Sequence, residues 1–151
     1  MQSNAIEERK WAMGVLACAD AEALSALWAA WPRKPAFTWL RKPESGLVMV
    51  RGRMGGDGAA FNLGEMTVTR CALRLDDGTQ GHACVQGRSA AKAEVSALVD
   101  ALHQRPEDRE AVREEILMPL ADSRAAARKA AAEETAATRV EFFTMVRGDN
   151  E

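Results

Sequence analysis

Arginines and glycines gather around one short stretch of the chain in a pattern that suits a phosphate-bearing ligand. The stretch runs from Arg51 to Gly58, and later residues of the same types extend the pattern. Guanidinium groups match pairs of phosphate oxygens, and glycines let backbone N–H groups approach an anion closely. Our candidate anion and substrate contacts are Arg51, Arg53, Gly55, Gly56, Arg70, Arg88 and Ser89. The alternative is a hairpin that needs glycine for its turn and arginine for solubility, and the residues alone favour it.

Residue patterns of conventional catalytic sites are missing. The chain has two histidines and three cysteines, without a paired CxxC, an HExxH, a P-loop or a GxSxG pattern. His103 is expected near a helix end, where its positive charge would interact favourably with the helix dipole. His82, Cys84 and Cys71 lie on neighbouring predicted strands, but three such residues without a well-spaced carboxylate favour ordinary strand positions over a metal site. We predict no metal and assign no catalytic residue.

Length and charge limit the class of protein. The 151 residues fit a single domain, residues 1–151, and the formal net charge of −2 argues against nucleic-acid binding. No apolar run approaches the roughly 18 residues of a membrane span, and the polar start MQSNAIEERK is unlike a secretory leader. Three cysteines fit a reducing compartment better than a disulfide scaffold. We expect a cytoplasmic protein without membrane or nucleic-acid partners.

The first part of the chain, residues 1–43, is predicted to be helical. Asn4 and Glu7 form a capping-box pattern, which predicts a helix from about Ala5 to Cys18. Asp20 is suited to cap a second helix that ends before Pro32. Its apolar residues fall on one stripe, which favours core or subunit contact over base stacking: Leu24, Leu27, Trp28 and Trp31.

Residues 46–87 are predicted to form an antiparallel sheet of about three or more strands. The extended stretches cover residues 46–54, 61–75 and 79–86, and Asp76-Asp77-Gly78 is a strong hairpin signal. The apolar alternation of the middle stretch changes parity, so we predict a bulge or bend around Thr69–Arg70. With helices covering one face of this sheet, the fold class is α+β.

The C-terminal half, residues 89–139, is predicted to be helical. Ser89 caps one helix, Pro106 begins another that runs through Met118, and Pro119 is expected to interrupt it before an alanine-rich helix from Asp122. The last segment, 140–151, is unusually apolar for a chain end, so we expect it to dock, with a partner slightly preferred over the core. The partner-interface candidates are Phe142, Phe143, Met145, Val146 and Arg147.

Several of these motifs together resemble one family. They include Arg53-Met-Gly-Gly-x-Gly58, Asp77-Gly78, Gly87-Arg88 and the ending Arg139-Val-Glu-Phe-Phe-Thr-Met-Val-Arg-Gly-Asp-Asn150. The chain is similar over nearly its whole length to PhnG, the G subunit of the bacterial carbon–phosphorus lyase core complex. The ending is the most specific part of this resemblance, and the residues through Pro43 are the least distinctive.

The resemblance implies a role in phosphonate catabolism. Such a subunit acts with PhnH, PhnI and PhnL when methylphosphonate attacks C1′ of the ribose of ATP, which gives ribose 1-methylphosphonate 5-triphosphate and releases adenine. PhnI is the closest expected partner, and PhnJ and the accessory PhnK are further ones. The resemblance implies no cofactor on this chain: ATP is a substrate of the complex, and the iron–sulfur cluster and S-adenosylmethionine belong to PhnJ.

Two other functions stay open at this point. A stand-alone phosphate- or nucleotide-binding enzyme would use the arginine- and glycine-rich β-region and would turn over by itself. A DNA-binding regulator would use the Leu24–Trp31 segment in a helix-turn-helix, but the balanced charge and the lack of a basic recognition helix disfavour it.

Overall fold

The computed structural model describes residues 2–138, with side chains from residue 5 onward. In chain order, the elements are α1 (Gln2–Cys18), α2 (Ala21–Ala30), β1 (Phe37–Arg53), a 3₁₀ turn (Met54–Gly56), β2 (Ala60–Leu75), β3 (Gln80–Gln86), α3 (Ala90–Gln104), α4 (Pro106–Val112), a π-helical turn (Arg113–Leu117) and α5 (Met118–Ala137). The predicted α+β class is confirmed, with a three-stranded sheet in the order β1-β2-β3.

The two predicted N-terminal helices are confirmed, but α1 already begins at Gln2, so Asn4 lies inside the helix and the predicted capping box is wrong. The Asp20 side chain caps α2 by accepting hydrogen bonds from the backbone N–H groups of Glu22 and Ala23, at 3.1 and 2.9 Å. Leu24 and Trp31 are buried in the core, whereas Trp28 is half-buried with the Lys34 ammonium 4.2 Å from its ring centroid. The tryptophans therefore pack against the protein itself, as the apolar stripe indicates.

The first strand begins earlier than predicted. β1 starts at Phe37, so residues 37–43, assigned above to the helical N-terminal part, belong to the sheet. Pro35 and Pro43 conceal the strand in the sequence because proline is unusual in strands. Pro43 is tolerated here because it lies on an edge strand, where the pairing of β1 with β2 shifts register between Arg41 and Glu44.

The bulge predicted at Thr69–Arg70 in β2 is wrong. Residues 68–74 of β2 pair regularly with β3, and the nearest irregularities lie in β1, opposite, after Trp39 and after Arg41. The change of parity has another cause: Met66 and Val68 lie on the outer face of the sheet, whereas Cys71 and Leu73 face the helices. Both faces of β2 are therefore apolar along part of its length, without an inserted residue.

The break predicted at Pro119 is also wrong, because the chain stays helical from Pro106 to Ala137. A π-helical turn, Arg113–Leu117, immediately precedes α5, and Pro119 lies in the first turn of α5. A π turn changes the local hydrogen-bond pattern just before the proline, and the helix continues through Pro119. The alanine-rich part of α5 is helical, as predicted, and mostly exposed.

The core lies between one face of the sheet and the helices. α3 packs on β2 and β3, and α1 packs beside β3 and α3. The closest approach is at Gly81, where a Cβ atom would clash with the Ala97 carbonyl oxygen and the Ala101 side chain. Among residues 2–138, no single helix is long and apolar enough to span a membrane, although α1 and α2, bent by 115°, meet the length and composition criteria as a pair.

Candidate functional site

The β1–β2 hairpin extends well past the end of the third strand. β3 pairs with β2 only as far as Val68, opposite Gln86, whereas β1 and β2 stay paired out to Arg53 and Ala60. We call residues 46–67 the arm: two paired strands and the turn that joins them. A two-stranded ribbon is marginally stable in water by itself. The arm therefore has little support from other elements of the fold.

Large apolar side chains are exposed along the arm and at its turn: Leu47 (61% exposed), Met49 (52%), Met54 (77%), Phe61 (42%) and Leu63 (66%). Leu47 and Met49 share the helix-facing side of β1 with Ser45, whose hydroxyl lies 3.0 Å from that of the buried Thr69. Phe61 and Leu63 lie on the outer side, within 4 Å of where a Cβ atom on Gly52 would be. Exposed apolar surface is typical of interaction sites, which makes the arm a candidate for one.

The turn of the arm depends on its glycines. Gly55 and Gly56 have φ angles of 65° and 89°, a region that residues with a side chain rarely adopt. A Cβ atom on Gly58 would lie 2.7 Å from the Met54 carbonyl oxygen. The Arg53 guanidinium donates a hydrogen bond to the Gly58 carbonyl, at 2.9 Å. This bond joins the end of β1 to the last part of the turn. Arg53 and the two strained glycines thus have a structural role whether or not they bind an anion.

The seven candidate anion contacts fall into three places: the distal end of the arm, its base, and the outer face of β2, where Arg70 lies. Arg51, Arg53, Gly55 and Gly56 lie at the distal end of the arm. Arg88 and Ser89 lie at its base, because the Gly87 N–H donates to the Thr67 carbonyl at 3.0 Å. Asn62, the partner of Arg51, is five residues from Thr67, which corresponds to about 16 Å along a strand.

Besides Arg53, two of the candidates already have partners in the fold. Arg70 lies on the outer face, with its Nε 3.1 Å from a Glu44 carboxylate oxygen. Ser89 caps α3 by accepting a hydrogen bond from the Lys92 N–H, at 3.1 Å. The three strands form a meander, but the chain by itself does not bring the seven residues to one point. Their role as anion contacts stays a prediction.

The cysteines and histidines of the sheet do not converge. Cys71 is buried on the helix side, where its thiol donates to the Ala93 carbonyl at 3.2 Å, and burial raises the pKa of this thiol to about 11. His82 and Cys84 are exposed on the other side of β3. Within residues 2–138, no group of three histidine, cysteine or carboxylate side chains is arranged to hold a metal ion.

Sequence reasoning missed a buried ionic contact between α1 and α3. The Asp100 carboxylate is fully buried and accepts two hydrogen bonds from the Arg9 guanidinium, at 2.9 and 2.8 Å. It also accepts the backbone N–H of His82, at 2.9 Å, and so links both helices to β3. Because the two residues are 91 positions apart, no local sequence pattern connects them.

His103 differs from its predicted role. It lies in the last turn of α3, as expected, but it is buried, and this burial lowers the pKa of its imidazole from the ordinary value of 6.5. The Glu8 carboxylate, 3.7 Å from Nε2, opposes this shift, whereas the nearby guanidinium groups of Arg109 and Arg113 lower the pKa further. His103 is therefore a neutral residue of the interior at neutral pH, and not a positive charge at a helix end.

Fold and surface together define a class: an α+β protein whose helix-covered meander extends into an exposed, partly apolar arm. Comparison with known proteins identifies the family within this class. The family described as "Phosphonate metabolism protein PhnG" matches residues 7–148. The chain is also similar to the "Alpha-D-ribose 1-methylphosphonate 5-triphosphate synthase subunit PhnG" of Rhizobium meliloti (strain 1021), with 47% identity over 149 residues, 96% of this chain and 92% of that protein. The chain belongs to the PhnG family.

The match extends past the described residues, to position 148. The partner-interface candidates Phe142, Phe143, Met145, Val146 and Arg147 lie within the matched range and outside residues 2–138. Their role stays a prediction.

Proposed function

We propose that this chain is a subunit of an α-D-ribose 1-methylphosphonate 5-triphosphate synthase and acts in a complex with other subunits. The relative that is 47% identical is a subunit of such a synthase by name, and the similarity covers 96% of this chain, which supports the role. In the reaction, methylphosphonate displaces adenine from C1′ of ATP and leaves the triphosphate on the ribose. The chain contributes to a shared assembly and does not turn over alone.

The arm is the structural observation that carries this proposal. Among the described residues, its exposed leucines, methionines and phenylalanine pack on no other element, and burial of each large apolar side chain is worth about 1.5–3 kcal/mol. A ribbon with apolar residues on both sides gains most of this energy by docking on another protein. A subunit of a heteromeric enzyme needs such a surface, whereas a self-sufficient enzyme does not.

The partners that we propose are PhnI first, then PhnH and PhnJ, with PhnK and PhnL as accessory proteins. No cofactor is assigned to this chain: ATP is a substrate of the assembly, and the iron–sulfur cluster and S-adenosylmethionine belong to PhnJ. Three free thiols, Cys18, Cys71 and Cys84, support a reducing compartment, and we propose the cytoplasm.

Assembly is tested by co-expression with a tagged PhnI subunit, followed by affinity purification and native mass spectrometry. We expect this chain to co-purify in a defined mass ratio with PhnI. As a matched pair, Leu47→Asp should weaken the complex strongly and Arg74→Asp little, because Arg74 is an exposed residue of β2 outside the arm. A well-folded chain that stays monomeric beside soluble PhnI would contradict the proposal.

Arginine substitutions test the anion contacts inside the assembled complex. We expect Arg88→Ala to lower adenine release while leaving the mass of the complex unchanged, because a guanidinium lost from the triphosphate weakens its binding. Arg53→Ala should lower adenine release as well, and it also removes the hydrogen bond that closes the turn of the arm. Arg70→Ala should cost less, because this guanidinium is already paired with Glu44. Unchanged turnover in all three variants would assign these arginines to stability and solubility alone.

The C-terminal tail is a second proposed contact. Truncation after Val140 should abolish assembly and leave the helical content of residues 2–138 intact, because Phe142, Phe143, Met145, Val146 and Arg147 would be missing from a partner groove. Size-exclusion chromatography and circular dichroism of the truncated chain measure the two effects. Assembly of the truncated chain would assign docking to the arm alone.

A further inference from the structure

We propose that the free edge of β1 on the arm binds an extended segment of a different chain as a fourth strand, one that carries acidic side chains opposite Arg51. This inference rests on the proposed function, because the segment belongs to a partner subunit. It specifies how the partner binds: through main-chain hydrogen bonds along Ser45–Arg53, with side-chain contacts to the exposed apolar residues.

The hydrogen bonds in the sheet identify which backbone groups are free. The Thr67 carbonyl accepts the Gly87 N–H on the β3 side, and Leu75 donates to Thr79 across the same pair of strands. Backbone groups alternate in direction along an antiparallel strand, so the even-numbered residues of β2 bond to β1 over this region. Val48 pairs with Met66 and directs its N–H toward β2. The N–H and carbonyl groups of Leu47 and Met49 therefore point away from the sheet, toward the free edge.

This edge has few of the features that normally prevent strand addition. Natural edge strands are protected by proline, bulges or charged residues. Two of the three irregularities in the β1–β2 pairing, together with Pro43, lie before Glu44, and pairing from Glu44 to Val50 is regular. The third irregularity, between Val50 and Arg51, places its extra residue, Leu63, in β2 and not in β1. The opposite edge of the sheet is different, because backbone groups of β3 already have partners in α3: the His82 N–H donates to the Asp100 carboxylate and the Gln80 carbonyl accepts from the Gln104 amide. β1 therefore presents the accessible edge, with apolar Leu47 and Met49 on one of its sides.

Charge indicates that the occupant is not a second copy of this chain. In β1, only odd-numbered residues from 45 to 53 direct their backbone groups to the free edge. These are Ser45, Leu47, Met49, Arg51 and Arg53. If two copies paired along this edge, odd-numbered residues of one would therefore lie opposite odd-numbered residues of the other, on the same face of the sheet. Self-pairing would thus offer no carboxylate to Arg51, which has no ion-pair partner among the described residues. A different chain with acidic residues at alternate positions satisfies both the arginine and the edge.

Hydrogen–deuterium exchange on the full-length chain, free and in the co-purified complex, tests this arrangement. In the free chain, the Val48 amide should exchange slowly and the Leu47 and Met49 amides quickly. In the complex, the Leu47 and Met49 amides should slow by about tenfold or more, because they gain a strand partner. If the complex forms and these two amides stay fast, strand addition is wrong and the proposed function stands. If no complex forms, both strand addition and the proposed function are wrong.

A matched pair of variants separates the backbone contact from the side chain. Met49→Pro removes both the outward N–H and the side chain, whereas Met49→Ala removes only the side chain. We expect Met49→Pro to raise the dissociation constant of the complex about tenfold above that of Met49→Ala, with similar unfolding midpoints for the free proteins. Equal affinities would overturn strand addition, as would a homodimer of this chain that protects the same amides.

Discussion

At the scale of single residues, Asp100 holds together parts of the chain that are distant in sequence. Its carboxylate satisfies two donors of Arg9 and one backbone donor of β3, so α1, α3 and β3 meet at one buried charge. A buried charge with a complete set of partners is tolerated, whereas removal of one partner leaves an uncompensated group. The pair therefore specifies how α1 lies against the rest of the core.

Asp100→Asn tests this contact with little change in volume. The amide cannot pair with both Arg9 donors, and we expect the free energy of unfolding to fall by about 2–4 kcal/mol. Glu7→Gln is the control, because the Glu7–Lys10 pair is exposed and contributes about 0.5 kcal/mol or less. Urea unfolding monitored by tryptophan fluorescence measures both. Equal midpoints for Asp100→Asn and the wild type would show that the contact is dispensable.

His103 makes stability depend on pH. Because burial lowers the pKa of the folded imidazole below the unfolded value of 6.5, the unfolded state binds a proton first as pH falls. Stability attributed to this group is complete above pH 6.5 and is lost between that pH and the folded pKa, at most about 1.4 kcal/mol per pH unit. Urea midpoints from pH 7 to 5 should decline less steeply in His103→Gln than in the wild type. The exposed His82→Gln should follow the wild type; if His103→Gln does too, the burial effect is absent.

At the scale of secondary structure elements, the contact between α3 and β3 depends on a glycine. A side chain at Gly81 would collide with the backbone of α3 at Ala97, and neither element can yield without disturbing the core. We expect Gly81→Ala to lower the free energy of unfolding by about 1–3 kcal/mol or more. Gly46→Ala is the control, since no atom lies within 4 Å of its added Cβ. Thermal unfolding by calorimetry compares the two, and equal melting temperatures would refute the tight packing.

Sequence periodicity predicts those elements that are decided by local residues. The caps at Asp20 and Ser89 and the turn at Gly78 follow from short patterns and are confirmed. The start of β1 and the continuity of the helix through Pro119 do not follow from short patterns, because pairing with β2 and a π turn override the usual effect of proline. Local propensity yields to tertiary context at these points.

The candidate site, too, is predictable from the sequence only where local residues decide its structure. The glycine- and arginine-rich turn is recognisable from the sequence, and its glycines have the positive φ angles that a tight turn requires. The distance between that turn and Ser89 cannot be predicted from the sequence, because it depends on how far β1 and β2 extend beyond β3. The exposure of apolar residues on both sides of the arm likewise emerges only when the third strand is seen to end.

At the scale of the whole molecule, the protein combines a well-packed body with a poorly supported arm. Helices α1 and α3, the core side of the sheet and the Asp100 contact stabilise the body. The arm has apolar side chains in solvent, a free strand edge and an arginine without an ion-pair partner among residues 2–138. A protein that worked alone would gain nothing from this division. In the proposed complex, the body gives the subunit its stability and the arm binds a partner.

The most direct measurement of the proposed role is adenine release from ATP and methylphosphonate in an omission series. The remaining synthase proteins, this chain alone and the complete set are assayed side by side at equal concentrations. We predict turnover only in the complete set, with partial loss when Arg53→Ala replaces the wild-type chain. Adenine release by this chain alone, or an unchanged rate without it, would contradict its role as a required subunit.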